Sequence, residues 1–145
     1  MSEEIRTLLA RYSDGVCRFD AEQWASTWAT DAVWEMGPMT KTGRDEISSS
    51  WQGMLARLDG VIHAYLNGWT DLDEATGTGT GRWYVIEHFK RPDEDPMTMY
   101  GYYDDEYCLE EGQWKFARRA LNRIYYGPPD MSGDFTGFGH ARKPD

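Results

Sequence analysis

The second half of the chain constrains the fold most, because it contains four long segments rich in β-branched and aromatic residues. They run over 61–71, 76–89, 97–109 and 114–126, and short polar stretches such as "DLDEAT" and "EEGQ" separate them. Segments of this composition, joined by turns, are typical of consecutive antiparallel strands. We therefore predict a large antiparallel sheet formed by the C-terminal half of the domain.

The first half is predicted to be mainly helical. Apolar residues recur at helical spacing over 3–19, and "DAEQWASTWA" is predicted to form a second helix that Asp20 caps. A short strand is predicted at "AVWEM", and a third helix is predicted to begin with a capping box at Thr42 and Asp45 and to end at Gly60. Helices followed by strands indicate an α+β domain in which three N-terminal helices cover one face of a curved antiparallel sheet.

The domain is predicted to span residues 1–127, with 128–145 forming a Gly/Pro-rich tail. Two phenylalanines of this tail, Phe135 and Phe138, are candidates to fold back over a pocket mouth. "GTGTG" at 77–81 is not read as a nucleotide-binding loop, because a strand follows it where such a loop opens a helix. Its bare face is expected to admit a close neighbour.

Charge and composition exclude several classes of function. The formal net charge of −10 disfavours nucleic acid and anionic membranes as partners, and no apolar run approaches the ~20 residues of a membrane span. The acidic N-terminus lacks the layout of a signal peptide, so a cytoplasmic protein is expected. His63, His88 and His140 lack ligand spacing, so no metal site is expected. The 14% aromatic content suits either a large core or an apolar ligand pocket.

His63 is the first candidate for chemistry. Strand alternation predicts that Val61, His63, Tyr65, Asn67 and Trp69 share one face. A histidine among aromatic and polar groups is either a structural residue or a general base. Asp20 would complete such a base if its carboxylate held the ring N–H of His63, and otherwise it only caps a helix.

The last two predicted strands carry the other candidates. Tyr103, Asp105 and Tyr107 alternate onto one face, and so does the set Lys115, Ala117, Arg119, Leu121 and Arg123. An arginine inside a pocket can stabilise an anion as it forms. The alternative is a row of cross-strand ion pairs on a solvated face.

Several stretches together resemble the SnoaL-like branch of the nuclear-transport-factor-2-like superfamily, from about Ile5 to Tyr126. They are "RYSDGVCRFDAEQWASTWATDAVWE", "TGRDEI", "VIHAYLN" and "YDDEYCLEEGQWKFARR". The resemblance implies a cone-shaped α+β barrel. It is strongest to the group of scytalone dehydratase, bile-acid dehydratase and hexachlorocyclohexane dehydrochlorinase, whose members use a His–Asp dyad without cofactor or metal.

By this resemblance His63 and Asp20 form the dyad, and Arg119 or Arg123 is the basic residue of the last strand. Gly15 departs from the pattern, because it stands where these enzymes have a Tyr or Lys that assists the leaving group. Relatives also assemble, so a homo-oligomer is expected, with a trimer favoured over a dimer.

The resulting hypothesis is a cofactor-independent lyase, of dehydratase or dehydrohalogenase type, that acts on an apolar cyclic small molecule. An isomerase or polyketide-cyclase-type enzyme with the same base is one alternative. A non-catalytic binding protein, or an assembly protein like a dioxygenase β-subunit, is the other. The catalytic candidates are His63, Asp20, Arg119, Arg123 and Tyr103. The candidate pocket walls are Tyr12, Trp24, Trp28, Trp34, Trp51, Met54 and Tyr65.

Overall fold

A computed structural model describes residues 2–136 of the chain. It contains three helices, α1 (Glu3–Cys17), α2 (Ala21–Ser26) and α3 (Arg44–Leu55). The six strands are β1 (Trp28–Met36), β2 (Met39–Thr42), β3 (Gly60–Asp73), β4 (Thr78–Lys90), β5 (Met97–Glu110) and β6 (Gln113–Gly127). Within the described residues, no helix has the length and apolar character needed to cross a membrane.

The strands form one sheet in the order β2-β1-β6-β5-β4-β3. The four long strands pair antiparallel with their neighbours in sequence, as predicted. The sheet as a whole is mixed, however, because β1 runs parallel to β6. The predicted antiparallel sheet therefore holds for the four long strands, and β1 adds a parallel pairing that was not predicted. The mixed sheet differs from an antiparallel one in the β1–β6 pairing, which joins strands far apart in the chain. Local sequence patterns do not reveal such a pairing.

The α+β architecture itself is confirmed, with α1 packed on β3 and β6. The helix buries an apolar stripe that includes Ile5, Leu9 and Val16. Asp20 caps α2 as predicted, since its carboxylate accepts a hydrogen bond from the Gln23 backbone N–H at 3.0 Å. This capping satisfies one of the free N–H groups of the first turn. The predicted end was wrong, because α2 stops at Ser26 and the chain enters β1 at Trp28.

The predicted ends of α3 were wrong. Gly43 occupies its N-cap and provides no side-chain hydrogen bond, and the helix ends at Leu55, five residues before Gly60. Instead of a capping box from Thr42, the carboxylate of Glu46 accepts a hydrogen bond from the Thr42 backbone N–H. The acidic first turn, Asp45 and Glu46, still favours this helix start through the helix dipole.

Two irregularities of the sheet change which side chains face inward. The β3–β4 register shifts between Tyr65 and Gly68, and beyond it Trp69 points to solvent with 53% of its surface exposed. The β5–β6 register shifts between Glu106 and Tyr107, so Phe116 and Arg119 are both buried although they are three positions apart, which regular alternation would place on opposite faces. A bulge of this kind reverses the alternation of every residue after it.

The bare face of "GTGTG" is occupied by neighbours from the same chain. A Cβ added to Gly81 would lie 2.8 Å from the Tyr107 hydroxyl, and one added to Gly79 would collide with Leu72 of β3. The expected close neighbour is therefore the adjacent strand and its side chains.

Candidate functional site

A cavity of about 170 Å³ lies between the helices and the concave face of the sheet. Most of its lining is apolar or aromatic, and it reaches from buried residues such as Tyr12 to exposed arginines at its rim. The residues used below are Tyr12, Trp34, Trp51, Met54, Arg57, His63, Glu87, Phe89, Arg91, Tyr103, Arg123 and Tyr126. A concave apolar pocket with a few convergent polar groups is the usual form of a small-molecule site.

His63 lies in this pocket on β3, with 5% of its surface exposed. Ser13 of α1 holds it from behind, since its hydroxyl lies 2.8 Å from Nδ1 and 2.5 Å from the backbone carbonyl oxygen of His63. A carbonyl oxygen can only accept, so the single hydroxyl proton of Ser13 is donated there. Nδ1 must then carry the ring proton and donate it to Ser13.

This tautomer leaves Nε2 of His63 as an acceptor. The atom is buried and has no hydrogen-bond partner among the described residues. Burial, and secondarily the charge of Arg119, lowers the pKa of His63 to about 3, so the ring is neutral near pH 7. The geometry therefore presents an unprotonated imidazole nitrogen inside an apolar pocket.

Glu87 is the acidic residue of the pocket lining, and the sequence analysis missed it. It lies directly opposite His63 in the β3–β4 register, and both side chains line the pocket. Burial raises the pKa of Glu87 to about 7, although the charge of Arg123 opposes the shift. The sequence "RWYVIEHF" contained the signal, because Glu87 lies two positions from Val85 and from Phe89 and so shares their inward face.

Two tyrosines form the polar part of the pocket floor. The rings of Tyr12 and Tyr103 pack edge to face, with their centres 6.4 Å apart. Burial raises the pKa of both phenols, so both are neutral and able to donate hydrogen bonds. The ring of Tyr12 also lies 5.5 Å from that of His63, which fixes the imidazole from its side. The predicted site residue Tyr103 lines the same cavity as His63, and Tyr12 packs against both.

Arg119 lies behind this floor and not in the pocket. It is fully buried, and its guanidinium forms a two-point ion pair with Asp105 at 2.7 and 3.1 Å. Its third nitrogen donates to the Tyr65 hydroxyl, and its charge lies 3.8 Å from the ring centre of Tyr103. Burial disfavours its charged form, but Asp105 and the tyrosines Tyr65, Tyr12 and Tyr103 together outweigh this and hold the pKa of Arg119 above its ordinary value. We predicted that Arg119 contacts the substrate directly, but the side chain is buried outside the pocket lining.

The structure does not bring Asp20 to His63. Its carboxylate caps α2 and accepts a second hydrogen bond from Arg18 at 3.3 Å, while the residue bonded to the His63 ring is Ser13. No hydrogen bond joins Asp20 and His63, both of which lie in the described part of the chain. Asp20 follows the end of α1, beyond the turn that contacts β3. In the last turn of α1, Cys17 contacts β3, with its sulfur 3.3 Å from the His63 backbone nitrogen.

Gly15 has a packing explanation. A Cβ at this position would lie 3.1 Å from the Cβ and backbone nitrogen of Trp24, so α1 and α2 could not pack as closely. Its departure from the pattern of the dehydratases thus reflects the contact between two helices. Since glycine has no side chain, position 15 cannot assist the leaving group as a Tyr or Lys would.

Of the predicted pocket walls, Tyr12, Trp34, Trp51 and Met54 line the cavity. Trp24, Trp28 and Tyr65 do not, within the described residues: the two tryptophans are fully buried in the aromatic core, and Tyr65 is turned to Arg119. Arg123 does line the pocket, with its guanidinium 4.4 Å from the ring centre of Tyr126.

The tail residue Phe135 packs on Tyr125, with ring centres 4.8 Å apart, and is not part of the pocket lining. Phe138 lies outside the described residues, as does His140. Among residues 2–136, no group of three or more His, Cys, Asp or Glu side chains is arranged to hold a metal ion.

Comparison with known proteins gives a consistent family. The model of the SnoaL-like domain matches residues 2–120. No curated protein matches the chain.

Solved structures share the fold. A scytalone dehydratase-like protein from Novosphingobium aromaticivorans superposes with a TM-score of 0.79 at 24% identity, covering 90% of this chain and 93% of that one. A type 2 hexachlorocyclohexane dehydrochlorinase (LinA) gives 0.78 at 23% identity, with 86% of each chain covered. A type 3 LinA from Novosphingobium barchaimii gives 0.74 at 22% identity, covering 91% and 90%.

Proposed function

Because the chain belongs to the SnoaL-like domain family, we propose that it is a cofactor-independent lyase that eliminates water or halide from a small cyclic molecule. The observation that carries the proposal is Nε2 of His63, an unprotonated and unpaired nitrogen buried in an apolar pocket while Ser13 fixes the ring. Similar structures described as scytalone dehydratase-like and as hexachlorocyclohexane dehydrochlorinase support this reaction class.

The size of the pocket supports a compact substrate. Its volume of about 170 Å³ is close to that of an engineered cavity of ~150 Å³ that binds benzene. The walls contributed by Trp34, Trp51 and Phe89 suit a single ring. A one-ring substrate therefore fits better than a steroid.

The first step of the proposed reaction is removal of a proton from carbon. Nε2 of His63 takes the proton, and the C–H bonding pair becomes the new C=C bond as the leaving group departs. Ser13 accepts from the opposite ring nitrogen and keeps the imidazole in place. Tyr103 donates a hydrogen bond to negative charge that develops on the substrate, and Arg119 behind its ring strengthens that donation.

The second step is protonation of the leaving group, for which Glu87 is the proposed acid. Its pKa of about 7 keeps a substantial protonated fraction at neutral pH. A departing hydroxide takes this proton and leaves as water. After water leaves, the cycle closes when the imidazolium of His63 returns its proton to the Glu87 carboxylate. A halide departs as the anion, so Glu87 keeps its proton and the imidazolium releases its own to solvent. Two neighbouring groups with pKa values pushed apart are the usual basis of acid–base assignments.

One observation favours a second candidate, a non-catalytic binding protein. The pKa of His63, about 3, makes the ring a weak base, and Ser13 stabilises an imidazolium less than a carboxylate would. An isomerase would use the same groups and return the proton to another carbon, so product analysis distinguishes it from a lyase.

The test uses dehydration of 3-hydroxycyclohexanone to cyclohexenone, followed by ultraviolet absorbance. Wild type is expected to accelerate the reaction, and His63→Gln is expected to lower kcat/KM by about 10²–10⁴-fold, the range for loss of a general base. His88→Gln is the matched control, because His88 is bonded to Thr98 on the same sheet and does not line the pocket.

Equal rates for wild type and His63→Gln would refute the base. A wild-type protein that binds the compound without accelerating its dehydration would establish the binding candidate instead.

A further inference from the structure

We infer that the natural substrate of this pocket carries a carboxylate, held at the pocket mouth by Arg57 and Arg123. The inference rests on the proposed function for the identity of the site and adds the chemical class of its ligand. It replaces the purely apolar substrate expected from the sequence with an amphiphilic one, a small ring bearing one anionic group.

The pocket lining is mostly positive, whereas the protein as a whole is negatively charged. The chain has a formal charge of −10, yet the ionisable residues of the pocket other than histidine and tyrosine are three arginines, Arg57, Arg91 and Arg123, and one acid, Glu87. With Glu87 protonated, the lining carries three positive charges. A concave, low-dielectric surface of one sign attracts ligands of the opposite sign.

Two of these arginines have no acidic partner. Arg91 lies 3.6 Å from Glu94, whereas Arg57 and Arg123 form no ion pair within residues 2–136. The guanidinium of Arg123 is instead held by the face of Tyr126, 4.4 Å from the ring centre. Stacking of this kind orients the guanidinium while leaving its N–H edge free, and that edge matches a carboxylate.

The arrangement orders the pocket from rim to floor. Arg57 and Arg123 are exposed, whereas His63 and Tyr103 are buried at the other end. A ring between the apolar walls with its carboxylate at the rim would present the opposite side of the ring to Nε2 of His63. The anionic group would therefore position the substrate and take no part in bond breaking.

Glu87 links this binding to pH. His63 lies opposite it on β3, and Arg123 on β6 and Tyr103 on β5 interact with its charge. The other ionisable groups of the same lining are Tyr12, Arg57, Arg91 and Tyr126. A bound carboxylate places a negative charge among them and favours protonated Glu87. Since the pKa of Glu87 is about 7, affinity for an anionic ligand is expected to fall as the pH rises through neutrality.

Isothermal titration calorimetry with benzoate and benzamide tests the inference, because the two probes share shape and differ in charge. At pH 6 and low salt, wild type is expected to bind benzoate about tenfold more tightly than benzamide. The Arg57→Gln/Arg123→Gln double variant is expected to lose this preference. Arg118→Gln, on β6 but paired with Glu35 outside the pocket, is expected to retain it.

Equal affinity for the two probes, no binding of either, or a preference that survives in the double variant would each overturn the inference. Loss of the pH dependence in Glu87→Gln is the expected secondary result, and a dependence that persists there would contradict the link to Glu87. These measurements involve no turnover. A failure of the proposed lyase would show in the His63→Gln assay while the benzoate preference remained.

Discussion

Two buried polar groups of this protein, the Arg119–Asp105 pair and His63 with Glu87, differ in how completely their hydrogen bonds are satisfied. Every nitrogen of the Arg119 guanidinium donates to a partner, and the Asp105 carboxylate also accepts from Tyr107 at 3.0 Å. By contrast, Nε2 of His63 has no partner, and no hydrogen bond to the Glu87 carboxylate is present among residues 2–136.

The difference separates structure from chemistry. A buried charge held at each of its nitrogens by protein partners supports the fold and is not presented to a ligand. A buried acceptor left unpaired beside an ionisable acid weakens the fold and is retained where a ligand or a proton uses it. Arg119 and His63 were both site candidates in the sequence, and only their partners distinguish them.

The largest expected effect is on the satisfied pair. Asp105→Ala would leave the Arg119 charge buried without its counter-ion, so the free energy of unfolding should fall by about 3–5 kcal/mol. Urea unfolding measures this loss. An Asp105→Leu/Arg119→Met double variant should recover most of it, and a single variant as stable as wild type would show that the pair does not support the fold.

The next effect concerns Glu87 and has a definite sign with pH. Its pKa is raised from 4.5 to about 7, so between these values the unfolded chain loses a proton that the folded protein retains. The free energy of unfolding should therefore decrease as the pH rises from about 4.5 to 7, by up to about 3 kcal/mol from this group.

Glu87→Gln should remove this contribution to the pH dependence of the free energy of unfolding. Its stability relative to wild type should therefore be higher at pH 8 than at pH 4. Chemical denaturation across this pH range provides the measurement, with Glu106→Gln on an exposed part of β5 as the control. Parallel curves for wild type and Glu87→Gln would contradict a raised pKa at this position.

The smallest effect concerns the contact that holds His63. Ser13→Ala removes the acceptor of Nδ1 and is expected to lower turnover about tenfold with little change in KM, the scale of one lost buried hydrogen bond. Ser13→Asp should instead raise the pKa of His63, because a carboxylate favours the imidazolium. NMR titration of the ring measures the shift, and an unchanged His63 pKa in Ser13→Asp would show that position 13 does not control the ring.

Local patterns were sufficient for most of the architecture. The apolar spacing of α1, the Asp20 cap and the four long strands were predictable because each depends on residues close in sequence. The β1–β6 pairing and the two register shifts were not, since they depend on contacts across the sheet.

For the site, too, the features that depend on local sequence were predictable and the contacts between distant residues were not. Strand alternation correctly put His63 and Tyr103 on inward faces. It could not show that Ser13 and Cys17, rather than Asp20, are the residues of α1 that meet β3. Arg119 and Arg123 lie on the same strand face in sequence, and only the depth of burial decides that one is a structural ion and the other reaches the pocket.

The aromatic core gives the protein an internal optical reporter. Trp24 and Trp51 stack with ring centres 4.4 Å apart and planes 7° from parallel, and Trp34 lies 5.4 Å from Trp24. Because Trp34 and Trp51 also line the cavity, occupancy should alter exciton coupling in the near-ultraviolet circular dichroism spectrum. Ligand entry can thus be followed on the unlabelled chain, without a chromophoric substrate.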